Sequence, residues 1–323
     1  MSIQNHNKLI VESIDDILRC STLSSLLEVS GYPKPGNIHR TKDFTDTRFE
    51  HFLAAIAGIQ PEFRKLCRRI EQQFNSSEFE LSDIQLGVFF KNAAKEMMKW
   101  QKGGNVILGH ILVLGPLIAT ATICLLQKKT HRSGFRRVLI ELINEATVQD
   151  TVKLYKAINM CTPGGLGTVS RYDLNDKNSI KQIQEDKITL KKIFELSQEY
   201  DLLSREYSTG FEIILLEGLP FYFKTFNKTH DVNTSTVHTF LHLLVNHHDT
   251  LIIRKSGKEK AQAVSEQAAD VLKSGGLLTQ EGKKKIRDMD LRLQKEQGKL
   301  NPGTIADLLA GVLFCALIFG LTF

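Results

Sequence analysis

The sequence predicts an all-α protein folded as one large domain over residues 1–323. Apolar residues recur at three- and four-residue spacing almost throughout, which is the period of one helix face. The β-branched run Leu251-Ile252-Ile253 is the one strand signal, and three residues fit a helix equally well. Breaks rich in Gly, Pro, Asn and Ser cut the chain into helix-length pieces, without internal repeats or low-complexity linkers.

The elements follow in order. Ile10, Ile14, Ile17 and Leu18 share a face that continues through Leu26 and Leu27 to a proline-rich loop. A second helix is expected over Asp46–Ile59, and Pro61 suits the first turn of a third that reaches Phe74. After the polar break Asn75-Ser76-Ser77, Leu81, Ile84 and Val88 begin a helix running to Trp100. Gly103-Gly104-Asn105 precedes the apolar segment Val106–Leu126, and Lys128–Gly134 is a basic connection. Phe135–Asn159 reads as one helix, ended by Thr162-Pro163-Gly164-Gly165-Leu166-Gly167 and the polar loop Ser170–Ser179. Helices are expected over Ile180–Tyr200, Leu202–Phe223 and Thr234–Asn246. Ala261, Val264, Ala268 and Val271 mark another that stops at Ser274-Gly275-Gly276. Thr279 is placed to cap the next, whose buried side carries Ile286, Met289 and Leu293, and Asn301-Pro302-Gly303 opens the last.

Composition narrows the function classes. A chain of 323 residues can bury a sizeable core, and its 42% hydrophobic and 24% charged content is that of a soluble globular protein. The net charge of +6 comes without a long basic run or aromatic–basic interleaving, which disfavours nucleic acid and leaves anionic small molecules open. Cys20, Cys67, Cys124, Cys161 and Cys315 are scattered and never in CxxC spacing, as expected of reduced thiols in a cytoplasmic protein. The polar start Met1–Leu9 lacks the apolar stretch of a signal peptide. Val106–Leu126 contains His110 and Pro116, and Leu308–Phe323 falls short of the roughly 20 residues that span a bilayer. Both are expected to be buried core helices, with no membrane partner.

Candidate chemistry gathers at helix ends. In Glu28-Val29-Ser30-Gly31-Tyr32-Pro33-Lys34-Pro35-Gly36-Asn37-Ile38-His39-Arg40 the prolines hold Tyr32 and Lys34 extended, and Gly36 allows a backbone angle that other residues resist. A rigid loop presenting Lys34, His39 and Arg40 suits a polyphosphate, because little ordering is left to binding. A stiff turn with solvated cations accounts for the same residues. Gly104 and Asn105 precede a helix N-terminus, where backbone amides can meet a phosphate or simply turn the chain. The spacing is no P-loop. Gly165, within Gly164-Gly165-Leu166-Gly167, could wrap a ligand. Asp150 is a lone carboxylate after Ala146-Thr147-Val148-Gln149. In His247-His248-Asp249-Thr250 the adjacent histidines make a poor zinc pair, while Asp249 suits either a magnesium corner or a helix cap. Thr304 and Asp307 have the spacing of a capping box. No Ser-His-Asp or Cys-His arrangement stands out.

Taken together, these segments resemble the triphosphoribosyl-dephospho-CoA synthase family. The matching pieces are Pro33-Lys34-Pro35-Gly36 with Glu28 upstream, Gly104-Asn105 with Gly109, Asp150, Gly164-Gly165-Leu166-Gly167, Asp249-Thr250, and Asn301-Pro302-Gly303-Thr304-Ile305-Ala306-Asp307-Leu308-Leu309. They lie in the family's order from about residue 28 to 310. Bacterial members carry His-Lys-Gly after the asparagine of the second piece. Here Ile107-Leu108-Gly109 keeps only the glycine and His110 follows it, so the chain looks like the archaeal-type branch.

The resemblance implies an all-helical transferase. It would move the 5-triphosphoribosyl group of ATP onto the 2′-hydroxyl of 3′-dephospho-CoA, release adenine and use magnesium. The product is the prosthetic-group precursor of citrate lyase or malonate decarboxylase acyl carrier proteins. On this reading Lys34, His39 and Arg40, with Pro35, Gly36, Gly104, Asn105 and Gly165, hold the nucleotide. Asp249 and Asp150 bind metal or act as base, with Glu28 and Asp307 in support. Ribosyl transfer to a different acceptor, such as one in a methanopterin-type pathway, and noncatalytic nucleotide binding are the alternatives. Oligomerisation into homo-oligomers is left open.

Overall fold

Two helices that are apolar on every side, α4 (Leu108–Leu126) and α15 (Gly303–Ile318), lie side by side in the middle of the molecule. The computed structural model describes residues 6–76, 79–162, 167 and 169–323. Within α4 the chain is buried without interruption from His110 to Cys124, and from α15 onward it is buried from Leu308 to Phe319. A helix with no polar face is stable only when other helices cover all of it. That cover comes from α1 (Ile14–Ser30), α2 (Phe49–Phe74), α3 (Leu86–Trp100) and α5 (Arg132–Glu145), together with α10 (Leu219–Thr229) and α11 (Val232–Asn246). Of the described residues, α4 alone is long and apolar enough to cross a membrane, and 89% of its apolar window is buried inside the protein. The described residues form no β-strand, and their buried apolar side chains make one connected core. The sequence-based expectation of all-α architecture with buried central and C-terminal helices holds.

Several boundaries differ from the sequence-based expectation. The second and third predicted helices are one, α2, which runs straight through Pro61. The prolyl ring removes a hydrogen bond there. Burial of Ile59, Phe63, Leu66 and Ile70 along one face outweighs that loss. The single helix expected over Phe135–Asn159 is two, α5 and α6 (Val148–Cys161). Thr147 is extended and caps α6, its side chain accepting the Asp150 amide. The stretch Ile180–Tyr200 divides into α7 (Ser179–Glu185) and α8 (Leu190–Glu195), with Lys187 at positive φ between them.

Leu202–Phe223 divides into α9 (Leu202–Thr209), a π-helical turn at Ile213–Gly218, and the start of α10. Gly210 and Phe211 take left-handed backbone there, and the buried Glu206 carboxylate accepts the amides of Ile213 and Ile214. The run Leu251-Ile252-Ile253 lies in α12 (Thr250–Ser256), followed by α13 (Lys258–Lys273) and α14 (Gln280–Gln294).

Candidate active site

α1 reaches the middle of the molecule because the side it turns inward is small. Ser21, Ser24 and Ser25 are buried, and Ser21 and Ser24 donate to carbonyls of their own helix, so close packing on α15 leaves their hydroxyls satisfied. One turn later the same face carries Glu28, 1% exposed. The Gly31 amide then ends the helix on the carbonyls of Leu27 and Glu28.

The chain turns into the proline loop, which is clamped from several sides. The Asn233 side chain accepts the Tyr32 amide at 2.9 Å and donates to its carbonyl at 2.6 Å. The Gly36 amide donates to Asp290 at 3.0 Å, the Gln294 amide donates to the Asn37 carbonyl, and Asn37 donates to Asn301 at 2.7 Å. Gly36 sits at φ +76°, and a Cβ there would meet the Leu300 carbonyl oxygen at 2.8 Å. Both the angle and the space exclude any other residue.

The clamp drives Lys34 inward. Its side chain is fully buried, with Nζ on Glu28 Oε1 and 5.9 Å from the centre of the Phe240 ring. The other Glu28 oxygen faces His110 Nε2 at 3.3 Å, and the same nitrogen lies 3.7 Å from Asp307 Oδ1. Lys34, Glu28, His110 and Asp307 thus form a chain of charge running from the loop across α1 and α4 to α15. Gly109 lets α4 and α15 approach at this point, since a Cβ there would overlap the Asp307 carboxylate.

The four groups differ in charge and access. Burial by itself would raise Glu28, but the Lys34 ammonium and His110 outweigh it and hold the carboxyl below its ordinary range. Burial pulls Lys34 down, opposed by Glu28 and Asp307. Asp307 is the most open of the four, with 21% of its side chain exposed and, among the described residues, no hydrogen-bond donor on its carboxylate closer than His110. Burial, with the negative charges of Glu28 and Asp249, pushes it up to about 7, against the pull of His110 and Lys34. A carboxyl pushed toward neutral pH is suited to act as a general base or acid.

Asp249 is near enough to Asp307 for its charge to raise it, but its own oxygens are taken. One accepts the Ile252 amide at 3.0 Å, capping α12, and the other accepts the Ile305 amide at 2.8 Å in the first turn of α15. Burial raises it to about 6, against those two amides. The capping box expected from Thr304 to Asp307 does not form. Thr304 instead accepts the Thr250 hydroxyl, and the remote Asp249 supplies the cap.

The other predicted residues scatter. Asp150 lies at the joint of α3 and α6, where its carboxylate accepts the Gly87 amide at 2.8 Å, the Thr147 amide at 2.7 Å and the Thr147 hydroxyl at 2.9 Å. No hydrogen bond or ion pair links it to the Glu28 group. His39 is buried with Nε2 on Asp290 at 3.1 Å and Nδ1 beside the Thr41 hydroxyl. Pro35 is buried in the loop wall. Of the three loop cations only Arg40 is exposed, 5.5 Å from the centre of the Tyr32 ring. Gly104 has open space around it, and Asn105 accepts the Leu108 amide at the start of α4. Gly165 lies outside the described residues.

A magnesium ion needs open oxygen ligands. The carboxylates of Asp150 and Asp249 are already filled by amide and hydroxyl donors, and the two Glu28 oxygens face Lys34 Nζ and His110 Nε2. Among the described residues no group of three or more His, Cys, Asp or Glu side chains is placed to hold a metal. The predicted metal pair therefore does not fit a resident magnesium.

Sequence reasoning passed over His110 and the residues that aim Lys34. The signal for His110 was present, as the lone histidine in the apolar run Val106–Leu126. Asp290 gives none, lying among the alternating charges of α14.

Fold and site together define an all-helical protein with a buried cluster of mixed charge where α1, α4 and α15 meet. The chain belongs to the ATP:dephospho-CoA triphosphoribosyl transferase family, whose profile matches residues 14–322. It is similar to the 2-(5''-triphosphoribosyl)-3'-dephosphocoenzyme-A synthase of Klebsiella pneumoniae, 30% identical over 109 residues, which are 34% of this chain and 35% of that one. A probable synthase of the same kind from Vibrio cholerae is 31% identical over 105 residues, 32% of this chain and 33% of that one. The match spans about a third of the length of these curated relatives. A crystal structure from Archaeoglobus fulgidus, provisionally assigned as a triphosphoribosyl-dephospho-CoA synthase, superposes with a TM-score of 0.61 at 27% identity. It covers 83% of this chain and 99% of that one.

Proposed function

We propose that this protein is a cytoplasmic transferase that moves the 5-triphosphoribosyl group of ATP to the 2′-hydroxyl of 3′-dephospho-CoA and releases adenine. The observation that carries the reading is the convergence of Glu28, Lys34, His110 and Asp307 from segments far apart in the chain. Breaking the bond between C1′ of the ribose and N9 of adenine leaves positive charge on the sugar, which carboxylates stabilise. Glu28, kept ionised by Lys34, supplies a fixed negative charge for it. Asp307, the most open carboxylate of the cluster, takes the proton as the acceptor oxygen closes on C1′. Proton balance is kept, because adenine gains one proton as the hydroxyl loses one.

Asp307 replaces Asp249 and Asp150 in the base role, since among the described residues it alone of the three has carboxylate oxygens without a hydrogen-bond donor. Lys34 and His39 are committed inside the fold, which leaves Arg40, Gly104 and Asn105 for the triphosphate. Magnesium enters as part of the nucleotide, on its phosphates, as is usual for this ion. The test is incubation with MgATP and 3′-dephospho-CoA, with chromatography for adenine and mass spectrometry for the ribosylated product. Equal amounts of both are expected. Adenine formed only with another acceptor, or nucleotide bound without adenine release, would overturn the assignment.

A further inference from the structure

The molecule has two deeply buried histidines beside carboxylates, and they are used differently. His39 employs both ring nitrogens, Nε2 on Asp290 and Nδ1 beside Thr41, as a histidine kept for structure does. His110 is 2% exposed, yet its Nδ1 has no hydrogen-bond partner among the described residues. Leaving a buried polar atom unpaired costs about 1–3 kcal/mol. A phenylalanine or leucine in the first turn of α4 would avoid that cost, so packing does not account for the residue. The other nitrogen points between two carboxylates, 3.3 Å from Glu28 and 3.7 Å from Asp307.

We propose that His110 is a positioning residue for the ribosyl transfer: bridging Glu28 and Asp307 through Nε2, it keeps Asp307 in its proton-accepting form and turned toward the acceptor hydroxyl. The inference rests on the transferase reading above. The charged groups facing His110 are Glu28 from α1 and Asp307 from α15, with Lys34 from the loop behind Glu28 and Asp249 from the cap of α12 behind Asp307. The helices α2, α3, α5 and α9, which also pack on α4, bring no described acid or base into ion-pair reach of it. Glu28 and Asp249 both push Asp307 toward its protonated form, while His110 and Lys34 pull it toward the ionised one. Lys34 is spent on Glu28, so His110 is the counterweight nearest to Asp307.

The test compares wild type with His110→Gln, which keeps a donor at the Nε2 position and cannot carry charge. Carbon-13 NMR of aspartate-labelled protein, with the Asp307 signal identified by its loss in Asp307→Asn, follows the carboxyl titration without requiring turnover. In His110→Gln that titration, and the acid limb of kcat/KM for adenine release, should both move up by about one pH unit. Activity at pH 6.5 should then fall by roughly tenfold and recover toward wild type at pH 9. ATP affinity should stay within about twofold. An unmoved titration, or a loss of rate equal at every pH, overturns the proposal. If His110→Gln does not fold, His110→Asn is read in the same way. Wild type that releases no adenine sinks the transferase reading instead, while the NMR titration still decides the role of His110.

Discussion

Asp150 and Asp307 are both carboxylates enclosed between helices, and they end in opposite conditions. Asp150, 2% exposed, accepts three donors that tie α6 to its own cap and to α3. Asp307 is slightly more open, lies near a histidine and two other carboxylates, and has no donor within hydrogen-bond range among the described residues. The difference shows that depth of burial does not mark the reactive acid in this fold. A saturated carboxylate holds helices together. An unsaturated one, crowded by like charge, is free to exchange a proton.

The largest effects should come from exchanging each aspartate for asparagine. Asp307→Asn should lower the rate of adenine release by about 10²–10⁴, the usual contribution of a general base, while the protein stays folded. Asp150→Asn should do the reverse, leaving turnover near wild type and lowering stability by about 1–3 kcal/mol, because one buried donor loses its partner. Steady-state assays alongside urea unfolding separate the two outcomes. Equal loss of activity in both variants at a temperature where both are folded would erase the contrast.

Lys34 and Asp249 sharpen it from the stability side. Lys34→Met takes the ammonium partner from the buried Glu28 carboxylate and should cost about 3–5 kcal/mol. Asp249→Ala strips the caps of α12 and α15 together, leaving the Ile252 and Ile305 amides without partners, and should cost about 2–4 kcal/mol. In both variants the urea midpoint should fall. For Asp249→Ala, protein that remains folded should keep a substantial share of its turnover, because the carboxylate holds helices rather than substrate. Complete inactivity of well-folded Asp249→Ala would return the base role to Asp249.

The helical architecture was legible because apolar spacing is a local property, and the two all-apolar helices announce their own burial. Breaks that depend on a single backbone angle, at Lys187 and at Gly210-Phe211, were not, since neighbouring periodicity runs straight across them. Pro61 misled in the other direction, because the core contacts that carry α2 through it are made by residues remote in sequence. At the site, Glu28, Lys34 and Asp307 could be named in advance, but not what each touches. Lys34 looks like a solvated cation until Asn37, Gln294 and Asp290 are seen to clamp its loop inward. Asp249 looks like a ligand until the Ile305 amide arrives from α15. Residue type travels with the sequence, whereas hydrogen-bond occupancy is decided by partners that only the fold supplies.

The smallest effect is also the most specific to Asp307. A carboxyl raised from the ordinary 3.8 to about 7 binds its proton more tightly in the folded chain than in the unfolded one. Between those values folding takes up a proton, so stability falls as pH rises, and above about 7 the full cost is present. Asp249, raised to about 6, adds a slope of the same sign over the lower part of that window. Glu28 acts oppositely. Its lowered carboxyl stabilises the fold above its ordinary 4.5 and loses that contribution only as pH falls further, so it does not blur the range from 5 to 8. Asp307→Asn should therefore be more stable than wild type at pH 8 by about 1–3 kcal/mol, a few degrees in Tm. The gain should shrink steadily toward pH 5. A pH-independent difference between Asp307→Asn and wild type would mean that Asp307 is not the strained acid of the pair.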